Sequence, residues 1–196
     1  LIGADGRLRA LVLGMAAPAS QAAPADWPAC ARVWQGVQAD LGWPAPAIAV
    51  AGEGGFQLWF SLAEPVDLAD ARAALAALRA RYLPDAPAAR LQLLPAGAGG
   101  AVQHAPMVPA PLATPGQWSA FVSQDLAPMF AETPWLDTAP GDDGQAGLLA
   151  RLASIRPGDW QQGLAALQPA PAAPPTAMAT AAPADRPPAP ADPGPA

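Results

Sequence analysis

Few side chains in this sequence could do acid–base chemistry, and they are scattered along the chain. The one histidine, His104, lies in a proline- and glycine-rich stretch with no Cys, Asp or Glu within several residues. A general base or a metal ligand normally has such a neighbour to orient it or to complete a ligand set. His104 can be a base, a ligand or a surface loop histidine, and the lack of partners favours the last.

The other acids and nucleophiles have structural explanations. Cys30 is the one cysteine, which excludes an intramolecular disulfide and a cysteine-based zinc cluster. Its apolar neighbours predict a small buried hydrophobe. Asp142 and Asp143 are adjacent and flanked by glycines, where N-capping of the following helix is the expected role. No serine lies in a nucleophile-elbow motif, and a single histidine speaks against a hydrolytic triad.

A glycine-rich tip organises the middle of the chain. The stretch 52–55, Gly-Glu-Gly-Gly, separates two apolar runs within 47–62. It predicts a β-hairpin turn in preference to a phosphate cradle, which would open a helix. By the two-residue alternation of a strand, the core face of the second run carries Phe56, Leu58, Phe60 and Leu62.

The opposite face of that strand carries Gln57, Trp59 and Ser61. The preferred interpretation of Trp59 is that the predicted C-terminal helices, 144–154 and 159–167, or the long irregular loop over 95–115 cover it. The alternative is that Trp59 stacks on a base or sugar, or anchors a protein partner.

Turn and capping signals place the other elements around this hairpin. Asp5-Gly6 is typical of a tight hairpin turn, and Asp26 and Asp67 are typical N-caps. The further predicted strands are 1–4, 7–15, 90–94 and 117–123, and the predicted helices are 29–41, 68–82, 144–154 and 159–167. This order predicts an α+β fold, with helices packed on an antiparallel or mixed β-sheet.

The predicted organisation is one α+β domain over 1–167, followed by a tail over 168–196. The tail contains Ala, Pro and a few polar residues, which cannot build a core, so we expect it to be disordered. The chain begins with Leu rather than Met, which leaves open a truncation at the N-terminus.

Composition limits the partners that this chain can have. The net charge is −6 and the pI is near 4.5, whereas strong non-specific nucleic-acid binding needs a basic patch. No run approaches the roughly 18 apolar residues of a membrane span. The N-terminus also lacks the basic-then-apolar pattern of a signal peptide. We therefore expect no membrane contact and a cytoplasmic location.

Two stretches resemble the archaeo-eukaryotic primase and primase-polymerase superfamily. They are Leu11-Val12-Leu13-Gly14-Met15-Ala16-Ala17-Pro18 and Val50-Ala51-Gly52-Glu53-Gly54-Gly55-Phe56-Gln57-Leu58-Trp59-Phe60. In that family a strand ends in a metal-binding Asp-x-Asp pair, and a hairpin carries Ser-Gly-x-Gly-x-His for nucleotide phosphates. A third strand supplies another acidic ligand. The resemblance spans about Arg9 to Val122 and implies a primase-like (RRM-like) architecture.

The matched positions lack the metal ligands of that family. The two aspartates fall at Gly14 and Ala16, the histidine at Gln57, and the third acidic position near Gln92. Two-metal phosphoryl transfer needs carboxylate oxygens to hold its cations. The resemblance therefore implies a non-catalytic domain with no metal or other cofactor, acting in binding or assembly within a larger system.

No catalytic residue is expected. The vestigial cleft is expected to contain Gly14, Ala16, Gln57, Trp59, Ser61 and His104. The alternative hypothesis is a structural or interaction protein unrelated to nucleotide chemistry. Such a protein would bind a protein partner through Trp135-Leu136 or through the proline-rich tail.

Overall fold

The computed structural model describes residues 2–3, 5–17, 25–96 and 103–168. In this part of the chain, six strands form one sheet in the order β4-β1-β3-β2-β6-β5, with neighbouring strands antiparallel. The strands are β1 (Leu8–Met15), β2 (Ala47–Val50), β3 (Phe56–Val66), β4 (Leu91–Leu94), β5 (Ala110–Pro111) and β6 (Trp118–Val122). The α-helices are α1 (Trp27–Leu41), α2 (Leu68–Tyr82), α3 (Asp142–Leu149) and α4 (Pro157–Leu167).

The first six elements follow the order β1-α1-β2-β3-α2-β4. Because β3 lies between β1 and β2, and β1 lies between β3 and β4, the chain forms two interleaved β-α-β units. β6 and β5 extend the sheet beyond β2. The α+β prediction is confirmed.

Local signals set the bounds of α1. The Asp26 carboxylate accepts a hydrogen bond from the Ala29 backbone N–H at 3.0 Å, and Pro28 occupies the first turn. Gly42 ends the helix in the left-handed conformation, with φ of 65°, which a residue without a Cβ adopts at little cost. The predicted helix over 29–41 is confirmed, as is the one over 68–82.

The predicted hairpin is confirmed, and its tip contacts the end of β1. A 3₁₀ turn over Gly52–Gly54 joins β2 to β3, and Gly55 follows with φ of 61°. A Cβ on Gly55 would clash with the backbone oxygen of Met15 and lie 2.8 Å from the backbone nitrogen of Ala17. Gly55 thus allows both the turn and a close approach of two backbones.

The inner face of the sheet packs on three helices. Phe56, Leu58 and Phe60 on β3 are buried as predicted, in one core with residues of α1, α2 and α4. Trp43, in the connection after α1, stacks on Trp160 of α4 with ring centroids 5.3 Å apart. The indole N–H of Trp43 donates a 2.8 Å hydrogen bond to the Asp159 carbonyl.

The outer face is covered in part by α3. Gln145 of α3 accepts a hydrogen bond from the Phe121 N–H at 2.7 Å and donates one to the Phe121 carbonyl at 3.0 Å. Leu148 packs beside Phe121 and Trp59. The outer face therefore has a small apolar cluster of its own.

Several predicted details of the C-terminal half are wrong. Asp142 and Asp143 do not cap α3, because Gly141 is its N-cap and both carboxylates lie inside the first turn. There they still face the positive end of the helix. α3 ends at Leu149, so helical periodicity does not continue to Leu152, and these two leucines are 40% and 37% exposed.

The tryptophans differ in burial. Trp160 is buried, whereas Trp34 and Trp118 are half-buried. Trp27 and Trp43 are the further buried tryptophans. Of the predicted strand over 1–4 the structure describes residues 2–3, where Ile2 forms an isolated bridge with Leu8.

Two further predictions concern the C-terminal tail and a membrane span. The predicted disorder of the tail falls on 169–196, outside the described residues. Among the helices that the structure describes, none has the length and apolar character needed to cross a bilayer.

Candidate functional site

Three of the positions matched by the primase resemblance lie side by side on the outer face of the sheet. Gly14 on β1 is directly opposite Gln57 on β3, and on its other side it is opposite Gln92 on β4. Directly opposite residues on neighbouring strands have their Cβ positions about 4.5–5.5 Å apart. The two carboxamides therefore flank a central glycine.

Gly14 leaves room for both glutamines. A Cβ at this position would lie 3.2 Å from both Cβ and Oε1 of Gln92 and 3.4 Å from Cγ of Gln57. The amide of Gln92 thus lies over the Gly14 backbone. A larger residue at Gly14 would displace the Gln92 side chain.

The two glutamines line a cavity of about 400 Å³. Gln57 is 1% exposed, and its Oε1 accepts a 3.1 Å hydrogen bond from the Trp59 indole N–H. That bond fixes the orientation of the carboxamide and leaves its amide nitrogen as a donor. The further residues lining the cavity include Glu53, Met107, Leu112 and Ser119.

The polar groups around this cavity are neutral except for Glu53. Glu53 is exposed at the rim. The Ser119 hydroxyl is committed to β5, with hydrogen bonds of 2.9 Å from the Ala110 N–H and 3.1 Å to the Ala110 carbonyl. Such a site can donate and accept hydrogen bonds, and its one ionisable lining group is the Glu53 carboxylate.

Acidic, histidine and cysteine side chains do not gather at this site. Nowhere in the described part of the chain do three of them lie close enough to hold a metal ion. Burial raises the pKa of the Cys30 thiol from 9.0 to about 12, with a further increase from the Asp26 carboxylate. The thiol lies in the inner core and stays protonated at neutral pH.

The other predicted cleft residues lie in different places. Ala16 follows β1 and is half-buried; its N–H donates to the Arg90 carbonyl at 2.8 Å, and its carbonyl accepts from Arg90 Nε at 3.1 Å. His104 is exposed and is not part of the cavity wall. Ser61 lies further along β3, opposite Ala10, and its hydroxyl is 2.8 Å from that of Ser154.

Trp59 lies on β3 between Gln57, which lines the cavity, and Ser61. It packs edge-to-face on Phe121 with ring centroids 5.8 Å apart, and Val108 and Leu148 join the same cluster. Trp59 is half-buried, so its position agrees with the preferred interpretation of a side chain under a second layer. The segment Trp135-Leu136 is also engaged, because Leu136 bridges Trp118 through two backbone hydrogen bonds.

A second concave region lies beside α3, and we call it the α3 groove. Two cavities of about 280 and 190 Å³ adjoin there. Both are lined by Ala45, Pro46, Ala47, Phe121, Leu149 and Leu152. The wider cavity also reaches Trp59, Ser61 and Ser154.

Sequence reasoning missed Ser119, Gln145 and the α3 groove. The alternation of β6 places Ser119 on the same face as Phe121, so the sequence could have predicted Ser119 at the outer face. No local pattern could have predicted the role of Gln145, because that role depends on the distance between a helix and a strand that are far apart in sequence. The groove depends on where α3 ends.

The chain was compared with protein-family models, curated proteins and solved structures. No protein-family model matches the chain, and no curated protein does. No solved structure matches it either.

Proposed function

We propose that this domain is a non-catalytic, primase-like binding domain that acts in the assembly of a larger system. The observation that carries the proposal is the row formed by Gln92, Gly14 and Gln57 on three neighbouring strands. These are three of the positions at which the resembled family has metal ligands and its phosphate-binding histidine. The proximity of these residues supports kinship with the resembled family. Because none of them carries a carboxylate, their chemistry argues for a site that binds no metal and is not catalytic.

The chemistry of the row suits recognition of an uncharged polar group. A carboxamide offers two donors and an acceptor, and Gln57 is held in place by Trp59 at 3.1 Å. Divalent cations in phosphoryl transfer instead require anionic oxygen ligands. A cavity of about 400 Å³ between the row and the 106–112 segment has room for a small ligand or a partner side chain.

The test restores carboxylates at the matched positions. We expect the triple variant Gly14→Asp, Ala16→Asp, Gln92→Asp to bind Mn²⁺, measured by the loss of the free-ion electron paramagnetic resonance signal. The matched control is Gly14→Asn, Ala16→Asn, Gln92→Asn, which has side chains of the same size without charge. It should bind Mn²⁺ at least about tenfold more weakly, because hard cations need charged oxygens.

Two results would contradict the proposal. A folded triple aspartate variant that binds Mn²⁺ no better than its asparagine control would show that these positions are not a former metal site. Mn²⁺ bound by the natural chain at this row, with or without a nucleotide, would contradict the non-catalytic part. Circular dichroism establishes that each variant is folded.

The second candidate is a structural or interaction protein with no nucleotide history. The α3 groove supports it, because Leu149 and Leu152 expose apolar surface beside Phe121. The Leu152→Arg variant separates the two candidates. An interaction protein would lose its partner through this change, whereas the response of the carboxylate-restored site to Mn²⁺ would stay the same.

A further inference from the structure

The cavity of about 400 Å³ beside the row contains a buried hydrogen-bond donor with a fixed direction. The Gln57 side chain is 1% exposed, and its Oε1 accepts the Trp59 indole N–H at 3.1 Å. Within the described residues that bond is the only one that the Gln57 side chain makes. The amide nitrogen keeps two N–H donors, and a buried donor that finds no acceptor is costly. The cavity therefore offers these donors to a ligand.

Gly54 keeps the Gln57 amide nitrogen open to the cavity. Both residues line the cavity, and a Cβ on Gly54 would lie 3.6 Å from this nitrogen. Such a Cβ would already be in van der Waals contact with the donor, whereas glycine leaves that side open. The hairpin tip thus borders the donor without covering it.

Gln92 supplies an acceptor on the other side of Gly14. Its Oε1 lies 3.2 Å from the place of a Gly14 Cβ, and Gln92 is half-buried and lines the same cavity. A carboxamide oxygen accepts up to two hydrogen bonds. Gln57 and Gln92 lie on the two strands that flank β1. A group bound over Gly14 therefore lies between the donor and the acceptor.

The rest of the cavity wall is apolar and carries one charge. Glu53, exposed at the rim, is the one ionisable group among the described lining residues. Met107, Val108 and Leu112 contribute aliphatic surface, and none of the described lining residues is aromatic. An anion would be buried here without a cationic partner, which is costly. A planar base would find no ring on which to stack. The wall therefore suits a neutral ligand with an aliphatic body.

Size and hydrogen bonding define the ligand further. A cavity of about 150 Å³ holds one benzene ring, so about 400 Å³ has room for a ring with a substituent. The ligand needs an acceptor for Gln57 and a neighbouring donor for Gln92 on one edge. A peptide bond is trans and has its C=O and N–H on opposite sides. The amide of a small ring is held cis, so both groups lie on the same edge.

We propose that this cavity binds a small neutral lactam. The lactam carbonyl oxygen accepts a hydrogen bond from Gln57 Nε2, and the lactam N–H donates to Gln92 Oε1. The saturated ring packs on Met107 and Leu112. This inference rests on the proposed function, because it takes the row to be a binding site, and it adds the class of ligand that the site receives.

The test titrates the full ¹⁵N-labelled chain with 2-piperidone, a six-membered lactam. We expect saturable shifts of the Gln57 side-chain NH₂ signals, which are identified by their absence from the spectrum of Gln57→Met. N-methyl-2-piperidone has the same ring and carbonyl but no N–H. It should bind about fivefold more weakly, because one net hydrogen bond is lost.

Matched variants assign the two hydrogen bonds. Gln92→Met keeps the side-chain length and removes the acceptor. It should weaken 2-piperidone about fivefold and leave N-methyl-2-piperidone unchanged, since the methylated ring has no N–H to donate. Gln57→Met removes the donor and should weaken both compounds, as followed by the backbone amide signals of Val108 and Leu112. Gln161→Met, at an exposed position of α4, should change neither affinity.

Three results would overturn the proposal. One is the absence of any shift of the Gln57 side-chain signals with 2-piperidone, and another is equal affinity for its N-methyl analogue. The third is tighter binding at this cavity of cyclopentanecarboxylate, which is an anion, or of 2-pyridone, which is aromatic. The Mn²⁺ test of the proposed function uses other variants. A chain whose triple aspartate variant binds Mn²⁺ as expected, but which gives one of these results, keeps the proposed function and loses only this ligand class.

Discussion

Cys30 is a protonated thiol sealed in the inner core, and its burial links stability to alkaline pH. Burial raises its pKa from 9.0 to about 12. A pKa raised by folding gives stability that is complete below pH 9 and is lost as pH rises toward 12, because the unfolded thiol ionises first. The three-unit difference corresponds to at most about 4 kcal/mol.

Cys30→Ala tests this link. At pH 7 we expect the variant to be about 1 kcal/mol less stable, because a buried sulfur is lost. Between pH 9 and 12 the difference should shrink and then change sign. Urea unfolding at several pH values measures it. Burial also raises the pKa of Tyr82 to about 12, but Tyr82 titrates in both proteins and so cancels. A difference that stays constant to pH 12 would contradict the prediction.

At the scale of single residues, alternation predicts the face of a side chain but not its neighbours. Gln57 and Ser61 share the outer face of β3, as expected, yet Gln57 lines the cavity and Ser61 lines the α3 groove. The contact between Gly14 and Gln92 depends on a register between β1 and β4. That register joins residues far apart in sequence, so local patterns do not specify it.

Among the elements, α4 is fixed to the core through a glycine. A Cβ on Gly163 would clash with the indole of Trp43. Gly163→Ala should therefore cost about 1–3 kcal/mol of unfolding free energy, because the stacked tryptophans must shift. Gly158→Ala on the same helix is the control, since a Cβ there meets nothing within 4 Å. It should be neutral or up to about 1 kcal/mol stabilising, and equal costs at both sites would contradict this account.

The tip of the β2–β3 hairpin makes a similar prediction. Gly55 and Gly116 both have positive φ, but a Cβ on Gly55 meets the backbone at the end of β1, whereas one on Gly116 meets open space. Gly116→Ala should cost about 1 kcal/mol for the left-handed conformation alone. Gly55→Ala should cost at least about 2 kcal/mol more, because backbone atoms cannot move aside as a side chain does. Thermal unfolding of the two variants compares the costs, and similar melting temperatures would argue against the contact.

The elements that could be predicted are those whose ends carry capping or helix-terminating residues. Asp26, Pro28 and Gly42 mark the ends of α1 in the sequence itself, and Asp67 marks the start of α2. The N-cap of α3 is Gly141, and neither Gly nor Pro follows its last residue, Leu149, so its start and end could not be placed as well. Trp43 was overlooked because it lies in a short connection before Pro44, where no periodicity identifies a buried side.

For the whole molecule, the fold class followed from the order of the elements, and the order of the strands did not. Alternating hairpins and returning helices predict α+β. The position of β3 between β1 and β2 results from pairing across tens of residues, and sequence periodicity does not predict such pairing. α3 lies on the outer face, as the preferred interpretation of Trp59 allowed, but its contact with Phe121 could not be predicted for the same reason.

Gln145 contributes to the behaviour of the whole molecule because it joins α3 to the margin of the sheet. Gln145→Ala should cost about 2–4 kcal/mol, since it leaves the N–H and carbonyl of Phe121 without their partner. Gln161→Ala, at an exposed position of α4, should change stability by less than about 0.5 kcal/mol. Urea unfolding gives both values, and light scattering reports association. Unchanged stability and unchanged molar mass for Gln145→Ala would contradict the prediction.

The carboxamide of Gln145 does for Phe121 what one residue of an adjoining strand would do. β5 protects two residues of β6 and includes Pro111, which has no N–H to offer. Gln145 satisfies the next free position. A strand of another molecule can therefore pair with Phe121 only after α3 detaches. α3 thus blocks self-association at this edge of the sheet as well as packing on its outer face.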